Sequence, residues 1–193
     1  LRAFAVTDWL DRGLALPLVL YQDGEGFAGE EQPGSFGVGD LRVVPRFRLF
    51  EVGDGLFAMA IIPSFTAPTG QLVDPFMGSK GFTFVPYVAG STDTKRGGFA
   101  VNVGYRLTAS DEEVANLALK DELLFRVSAW AWVAKDVFQA VAEWSTATTA
   151  SEPFGDMAQS PMEVVVGGKA HITDWVDFNF GAGFGLTEGY STP

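Results

Sequence analysis

Hydrophobic and polar residues alternate along much of this chain, and the clearest example lies near its end. From Val176 to Leu186 the even positions are apolar, and the odd positions are polar or glycine. Successive side chains of a β-strand point to opposite faces, so this alternation predicts a strand with two different faces. Similar segments recur between Gly, Pro, Asp and Ser clusters and predict about ten strands, at residues 1–8, 13–21, 40–50, 56–66, 81–91, 98–108, 119–132, 137–149, 161–172 and 176–187.

The connections between these predicted strands alternate in length. Short connections are expected at residues 9–12, 51–55, 92–97, 133–136 and 173–175. Longer ones are expected at residues 22–39, 67–80, 109–118 and 150–160. Consecutive strands of an up-and-down sheet run in opposite directions, so this order brings all short connections to one end. Outer-membrane β-barrels have this arrangement, with short periplasmic turns and longer extracellular loops, whereas a Greek-key sandwich is not expected to sort its loops in this way.

The segment Asp111–Phe125 is the least regular part of the pattern. Its apolar spacing also fits a short amphipathic helix, and Val137–Trp144 is a weaker case of the same ambiguity. Both are interpreted as strands because their flanks alternate and the number of hairpins then stays regular.

Alternation alone does not decide whether the apolar face meets lipid or a soluble core, but two features favour lipid. The predicted strands have about the length of a tilted membrane-spanning strand, and most strands of soluble proteins are shorter. Aromatic residues lie near predicted strand ends, as in the interfacial girdles of membrane proteins, at Trp9, Tyr21, Phe50, Trp132 and Trp175. The apolar face is therefore predicted to face lipid, with Leu41, Val43, Phe47, Phe57, Met59, Ile61, Val101, Val103, Phe125, Val127, Val164, Val166, Phe178, Phe180 and Phe184.

The polar positions of the same strands carry charges of both signs, which is a third feature in favour of a barrel. Enclosed charges require partners, and arginine pairs well with carboxylates. These residues are predicted to line the lumen as a charged network that fills it or, alternatively, forms an ion-selective constriction. They are Arg42, Arg46, Arg48, Arg106, Glu122, Arg126, Glu143, Glu163, Lys169, His171 and Asp177.

Composition narrows the class further. Of the 193 residues, 47% are hydrophobic and 19% are charged, which is less charge than a typical soluble domain carries. No apolar run is long enough for a transmembrane helix. The net charge of −11 argues against a nucleic-acid partner. The chain has no cysteine, so disulfides and thiolate sites are excluded.

The sequence offers little support for catalysis or for a bound metal. His171 is the only histidine; Ser64, Ser128 and Asp177 could share its face, but no nucleophile elbow accompanies them. Residues Gly181–Gly185 lie within a strand and not before a helix, so they do not form a nucleotide loop. The acidic residues of the second predicted connection lack EF-hand spacing; they are Asp23, Glu25, Glu30 and Glu31. We therefore expect no enzyme, no cofactor and no metal site.

Four segments carry a family resemblance: Gly13–Tyr21, Gly37–Arg46, Ile62–Gly70 and Gly185–Pro193. They resemble the barrel domains of proteobacterial outer-membrane proteins of the OmpA-family or transporter-like kind, related to the group named for the meta pathway of phenol degradation. The resemblance implies an outer-membrane barrel and carries no catalytic residues. It also implies a parent barrel of about twelve strands, of which residues 1–193 would be one trimmed barrel domain, and a peptidoglycan-binding domain in OmpA-type parents.

Three functional hypotheses follow. The first is a passive channel or structural envelope module in the bacterial outer membrane, with a charged lumen, membrane lipid around it and small solutes inside. The second is a transporter of hydrophobic or aromatic small molecules. The third is a soluble ligand-binding β-barrel whose apolar faces point inward. Ten strands can close as an even-numbered cylinder, whereas a strand missing from each end would leave two open edges. The direction of Phe178, Phe180 and Phe184 distinguishes a lipid-facing surface from a soluble core.

Overall fold

The computed structural model describes residues 2–7, 9–21, 36–53, 55–70, 78, 81–108, 113–114, 117–118, 121–155, 157, 160–173 and 176–187. Most of these residues form β-strands. The strands are β1 (Arg2–Thr7), β2 (Leu10–Ala15), β3 (Leu18–Val19), β4 (Gly37–Val38), β5 (Leu41–Val52), β6 (Phe57–Ala67), β7 (Thr83–Thr94), β8 (Gly97–Thr108), β9 (Glu113–Val114), β10 (Leu117–Ala118), β11 (Glu122–Ala134), β12 (Phe138–Thr149), β13 (Met162–Thr173) and β14 (Val176–Gly185).

Within these described ranges, ten strands form one antiparallel, up-and-down sheet. Their order is β1-β2-β5-β6-β7-β8-β11-β12-β13-β14, so each long strand neighbours the next long strand along the chain. Two small two-stranded sheets, β3 with β4 and β9 with β10, lie in the long connections. The prediction of an all-β, up-and-down antiparallel architecture is confirmed.

The predicted alternation of short and long connections is also confirmed. Short connections follow β1, β5, β7, β11 and β13, and long ones follow β2, β6, β8 and β12. The short turn after β11 contains Asp136 with a φ of 58°, a left-handed conformation that aspartate tolerates better than most residues. The turn after β5 uses Gly53 at a φ of 66° and Gly55 at 90° for the same purpose.

The second strand differs from its prediction. It begins at Leu10 rather than at residue 13 and ends before Leu16 and Pro17. Proline has no N–H to donate to a sheet, which explains why the strand stops there. The chain resumes as β3, which pairs with β4, and the N–H of Gly39 donates to the carbonyl oxygen of Pro17 at 2.9 Å.

The connection between β8 and β11 contains a short hairpin where the sequence also allowed a helix. Leu117 pairs with Val114, and Ala118 pairs with Glu113. The following strand begins at Glu122 rather than at residue 119. In the part of the chain that the structure describes, no helix has the length and apolar character needed to cross a membrane.

The residues pack as two compact units. The first contains residues 1–47, 62–86 and 106–121, and the second contains residues 48–61, 87–105 and 122–193. Few apolar side chains of the described residues are buried, namely Val85, Leu124 and Ala147. Many large apolar side chains are exposed instead, some of them in the connections. The exposed members of the predicted apolar face are Val43, Phe57, Ile61, Val101, Val103, Val127, Val166, Phe178, Phe180 and Phe184.

Candidate functional site on the polar face of the sheet

The register of β11 to β14 places the polar residues of the second unit on one face. Trp132 lies opposite Gln139, Gln139 lies opposite Lys169, and Lys169 lies opposite Asn179. Directly opposed residues of neighbouring strands project to the same side, so these four residues form one row across the sheet. The arrangement follows from the alternation in each strand and from the short turns that set the register.

Next to this row, on the side of the short turns, three polar side chains lie close to an aromatic ring. Asp177 Oδ2 is 3.0 Å from Lys169 Nζ, and Asp177 Oδ1 is 2.5 Å from His171 Nδ1. The Trp132 ring lies 5.4 Å from the His171 ring, measured between centroids. We call Trp132, Lys169, His171 and Asp177 the His171 cluster. The His171 imidazole is therefore held between the Asp177 carboxylate and the Trp132 ring.

A second charged pair lies nearer the long connections on the same face. Arg126 Nε is 3.2 Å from Glu143 Oε1, and both side chains are partly exposed. On the next strand, Glu163 extends over Gly183, where an added Cβ would overlap the Glu163 carboxylate. The glycine therefore leaves room for a longer polar side chain, as expected from the small residues of this strand.

Between these two charged regions lies an uncharged band. Trp130 is opposite Val141, Val141 is opposite Gly167, and Gly167 is opposite Gly181. We call these four residues the aromatic shelf. The two glycines have no side chains, and an added Cβ at Gly167 would overlap the backbone of Phe180 and Gly181. Trp130 and Val141 are the apolar side chains of this row. Trp130 also covers Gly98 of β8, where an added Cβ would overlap the indole ring.

The first unit also contributes predicted polar residues. Arg46 lies opposite Asp11, with Arg46 Nε 4.0 Å from Asp11 Oδ2, and Arg42 lies opposite Ala15. Asp11 was assigned to a turn from the sequence, and it lies opposite Arg46 because β2 begins early.

The remaining predicted polar residues are distributed along the strands. In the second unit Arg48 pairs with Glu51, which the sequence also placed in a turn. Glu122 is buried opposite Thr149 at the start of β11, and Arg106 lies near the end of β8. The structure thus brings together Arg126 with Glu143, and Lys169 and His171 with Asp177, and it supplies acids that the sequence analysis missed.

The predicted lipid-facing residues of β11 to β14 share the opposite face. Val127 is opposite Trp144, Trp144 is opposite Val164, and Val164 is opposite Phe184. By the same alternation this face also carries Phe125, Val166, Phe178 and Phe180. Phe138 and Phe180 stack at 6.1 Å with an interplanar angle of 12°. The predicted set in β5, β6 and β8 alternates along each strand and is exposed or half-buried, comprising Leu41, Val43, Phe47, Phe57, Met59, Ile61, Val101 and Val103.

The girdle prediction gives a mixed result. Trp9 stacks on Phe47 at 6.3 Å, and Phe50 lies 5.8 Å from Phe57, so both accompany predicted lipid-facing residues. Trp132 instead lies on the polar face beside His171, and the girdle assignment was wrong for it. Counting from Ser128, which the sequence analysis placed on the polar face, would have shown this. Trp175 and the acidic residues Asp23, Glu25, Glu30 and Glu31 lie outside the described residues.

In the residues that the structure describes, Ser128 and His171 are not brought together. Ser128 precedes Trp132 by four positions along β11, which separates it from the His171 cluster by about 13 Å at the usual rise of a strand. No group of three or more His, Asp or Glu side chains in the described segments is arranged to hold a metal ion. The polar face of β11 to β14 thus presents ion pairs on either side of an uncharged row.

Comparison with known proteins gives one family. The family described as "MetA-pathway of phenol degradation" matches residues 4–189. No curated protein and no solved structure matches the chain.

Proposed function

Because this chain belongs to the family described as "MetA-pathway of phenol degradation", we propose that it is an outer-membrane β-barrel whose polar face lines a passage for small solutes. The role is transport or envelope structure rather than catalysis. A relation to OmpA-type or transporter proteins is part of the same proposal. So is the orientation, with short turns toward the periplasm and long connections outside the cell.

The exposed apolar face is the observation that carries the proposal. Phe178, Phe180 and Phe184 of β14 expose 58%, 53% and 56% of their surface. Removing apolar surface from water is favourable by about 25 cal/mol per Å², so exposing a face of this kind to water is unfavourable. A lipid environment removes this penalty.

Strand length supports the same environment. The long strands β5 to β8 and β11 to β14 contain between 10 and 13 residues. A tilted strand needs about 9–11 residues to cross the hydrocarbon core. Because lipid offers no hydrogen-bonding partners to an open sheet edge, the proposal includes closure of the sheet into a barrel.

The polar face supports a hydrated passage. Arg126 pairs with Glu143 and Lys169 pairs with Asp177 on this face, and Gly167 and Gly181 lie between the two pairs. In a closed barrel with its apolar face toward lipid, these residues line the interior. A barrel plugged by its own side chains would serve as a structural module with the same lining.

A second candidate function is the passage of aromatic solutes, and the aromatic shelf favours it. A planar ring resting against Val141 would have Trp130 on one side, a neighbour that aromatic rings prefer, and Gly167, which has no side chain, on the other. A polar substituent on such a ring could reach Lys169 or Gln139 in the neighbouring row. The family description concerns phenol, which has this chemistry.

Ion conductance after reconstitution tests the proposal. Protein folded into lipid vesicles is expected to insert and to give discrete conductance steps in potassium chloride. Insertion without conductance would identify the plugged structural module. A protein that stays monomeric in water without detergent and does not insert would contradict the membrane proposal.

A further inference from the structure

The connection between β12 and β13 is fastened to the apolar side of the sheet by buried hydroxyl groups. Thr148 and Ser160 expose 0% and 1% of their surface, and their hydroxyl oxygens are 2.9 Å apart. The N–H of Phe154 donates to Thr148 Oγ1 at 2.7 Å. By alternation Thr148 belongs to the same face as Thr146 and Trp144, so the connection folds back over the long-connection end of the apolar face.

This connection holds Phe154 in an unusual conformation. Its φ of 58° lies in the left-handed region, which bulky residues rarely adopt. The N–H of Glu152 donates to the Thr149 oxygen at 3.3 Å, and the N–H of Gly155 donates to the Glu152 oxygen at 3.2 Å, so successive turns fix the backbone around it. Glycine or asparagine would adopt this conformation at lower cost. The strain therefore indicates that the contacts of the phenylalanine ring matter at this position.

The ring of Phe154 extends the apolar face beyond the strands. It stacks on Phe125 of β11 at 6.4 Å with an interplanar angle of 29°. Phe154 still exposes 43% of its surface, and Met157 in the same connection exposes 52%. The neighbouring Glu152 side chain is exposed as well. An aromatic ring on the side of the lipid-facing band, with an exposed methionine and a charged group in the same connection, matches the composition of the membrane–water interface.

We propose that residues 150–155 and 157 of this connection form an anchor at the lipid–water interface, with Phe154 and Met157 in contact with the headgroup and upper acyl region of the leaflet. The inference rests on the proposed membrane barrel and adds the lipid contact of this one connection. Lipid is favoured as the occupant because the patch continues the apolar face through the Phe154–Phe125 contact. The buried Thr148–Ser160 pair provides the rigid support that positions it.

The absence of cysteine makes a direct test practical, because single-cysteine variants carry one spin label each. Labels at Met157→Cys, Val166→Cys and Glu152→Cys are compared in vesicles of phosphatidylcholine and phosphatidylglycerol by their accessibility to oxygen and to a polar nickel complex. Val166 on the apolar face reports insertion itself. The Met157 label is expected roughly 5–10 Å inside the headgroup boundary, and the Glu152 label is expected in water.

A second variant tests the role of Phe154. In the Met157→Cys background, Phe154→Gly removes the ring and relieves the backbone strain, and the label is expected to move toward water. Phe154→Leu keeps an apolar side chain and is expected to retain most of the depth.

The outcomes separate the two proposals. A deep Val166 label with a Met157 label in water would overturn the anchor and leave the barrel standing. A Met157 depth that Phe154→Gly does not alter would likewise overturn the role of Phe154. Labels in water at both Val166 and Met157 would contradict the membrane barrel and the anchor together.

Discussion

His171 and Asp177 lie directly opposite each other on β13 and β14, with His171 Nδ1 2.5 Å from Asp177 Oδ1. The same carboxylate pairs with Lys169, so one acid serves two basic side chains. In the proposed barrel this cluster lies at the short-turn end of the lumen, where it contributes to the field that a permeating ion meets.

Removal of the carboxylate should change ion selectivity more than stability. Asp177→Asn leaves Lys169 without its negative partner, so the ratio of cation to anion permeability is expected to fall. The pairs are partly exposed and screened by solvent, so the free energy of unfolding should change little. Reversal potentials across a potassium chloride gradient measure the selectivity. Asp136→Asn, which makes the same change in an exposed turn, should leave it unaltered.

Gly168 provides the space in which Phe138 and Phe180 stack. An added Cβ there would overlap both rings. Gly168→Val is therefore expected to separate the rings and to lower the free energy of unfolding by about 1–3 kcal/mol. Denaturant titration of the folded protein in detergent or lipid measures this loss. The control is Gly90→Ala, because a Cβ at Gly90 meets nothing within 4 Å. Equal losses in the two variants would show that the ring stack has no special role.

The aromatic shelf predicts a specific effect of Trp130. If aromatic solutes rest against Val141 between Trp130 and Gly167, Trp130→Ala removes an edge contact of about 0.5–1.5 kcal/mol. The phenol concentration that half-blocks conductance should then rise by roughly 2- to 10-fold. Trp144→Ala is the matched control because Trp144 belongs to the apolar face. An identical phenol response in wild type and Trp130→Ala would argue against the shelf and in favour of a non-selective passage.

Alternation identified the long strands and the two faces because most positions on each face of β11 to β14 share one chemical character. Val176–Leu186 shows the pattern over its whole length, and its register with β13 confirms which residues share a side. The connection lengths were equally informative because glycine and aspartate mark the tight turns.

Features that depend on tertiary contacts could not be predicted in the same way. The early start of β2 depends on strand pairing that places Asp11 opposite Arg46 of β5. In the sequence alone, Asp11 resembles a turn residue. The ion pairs of Arg48 and Arg46 involve acids near strand ends that alternation does not assign to a face. The fastening of Phe154 by Thr148 and Ser160 depends on hydrogen bonds that only the folded connection brings together.

The central claim is that the apolar face meets lipid, and paired arginine substitutions on adjacent residues test it most directly. Val166 projects from the apolar face of β13 and Val165 projects from the polar face. In lipid vesicles, Val166→Arg is expected to lower the free energy of unfolding by about 2–4 kcal/mol, whereas Val165→Arg should cost clearly less. A larger loss for Val165→Arg than for Val166→Arg, in a protein that remains monomeric in water, would contradict the claim.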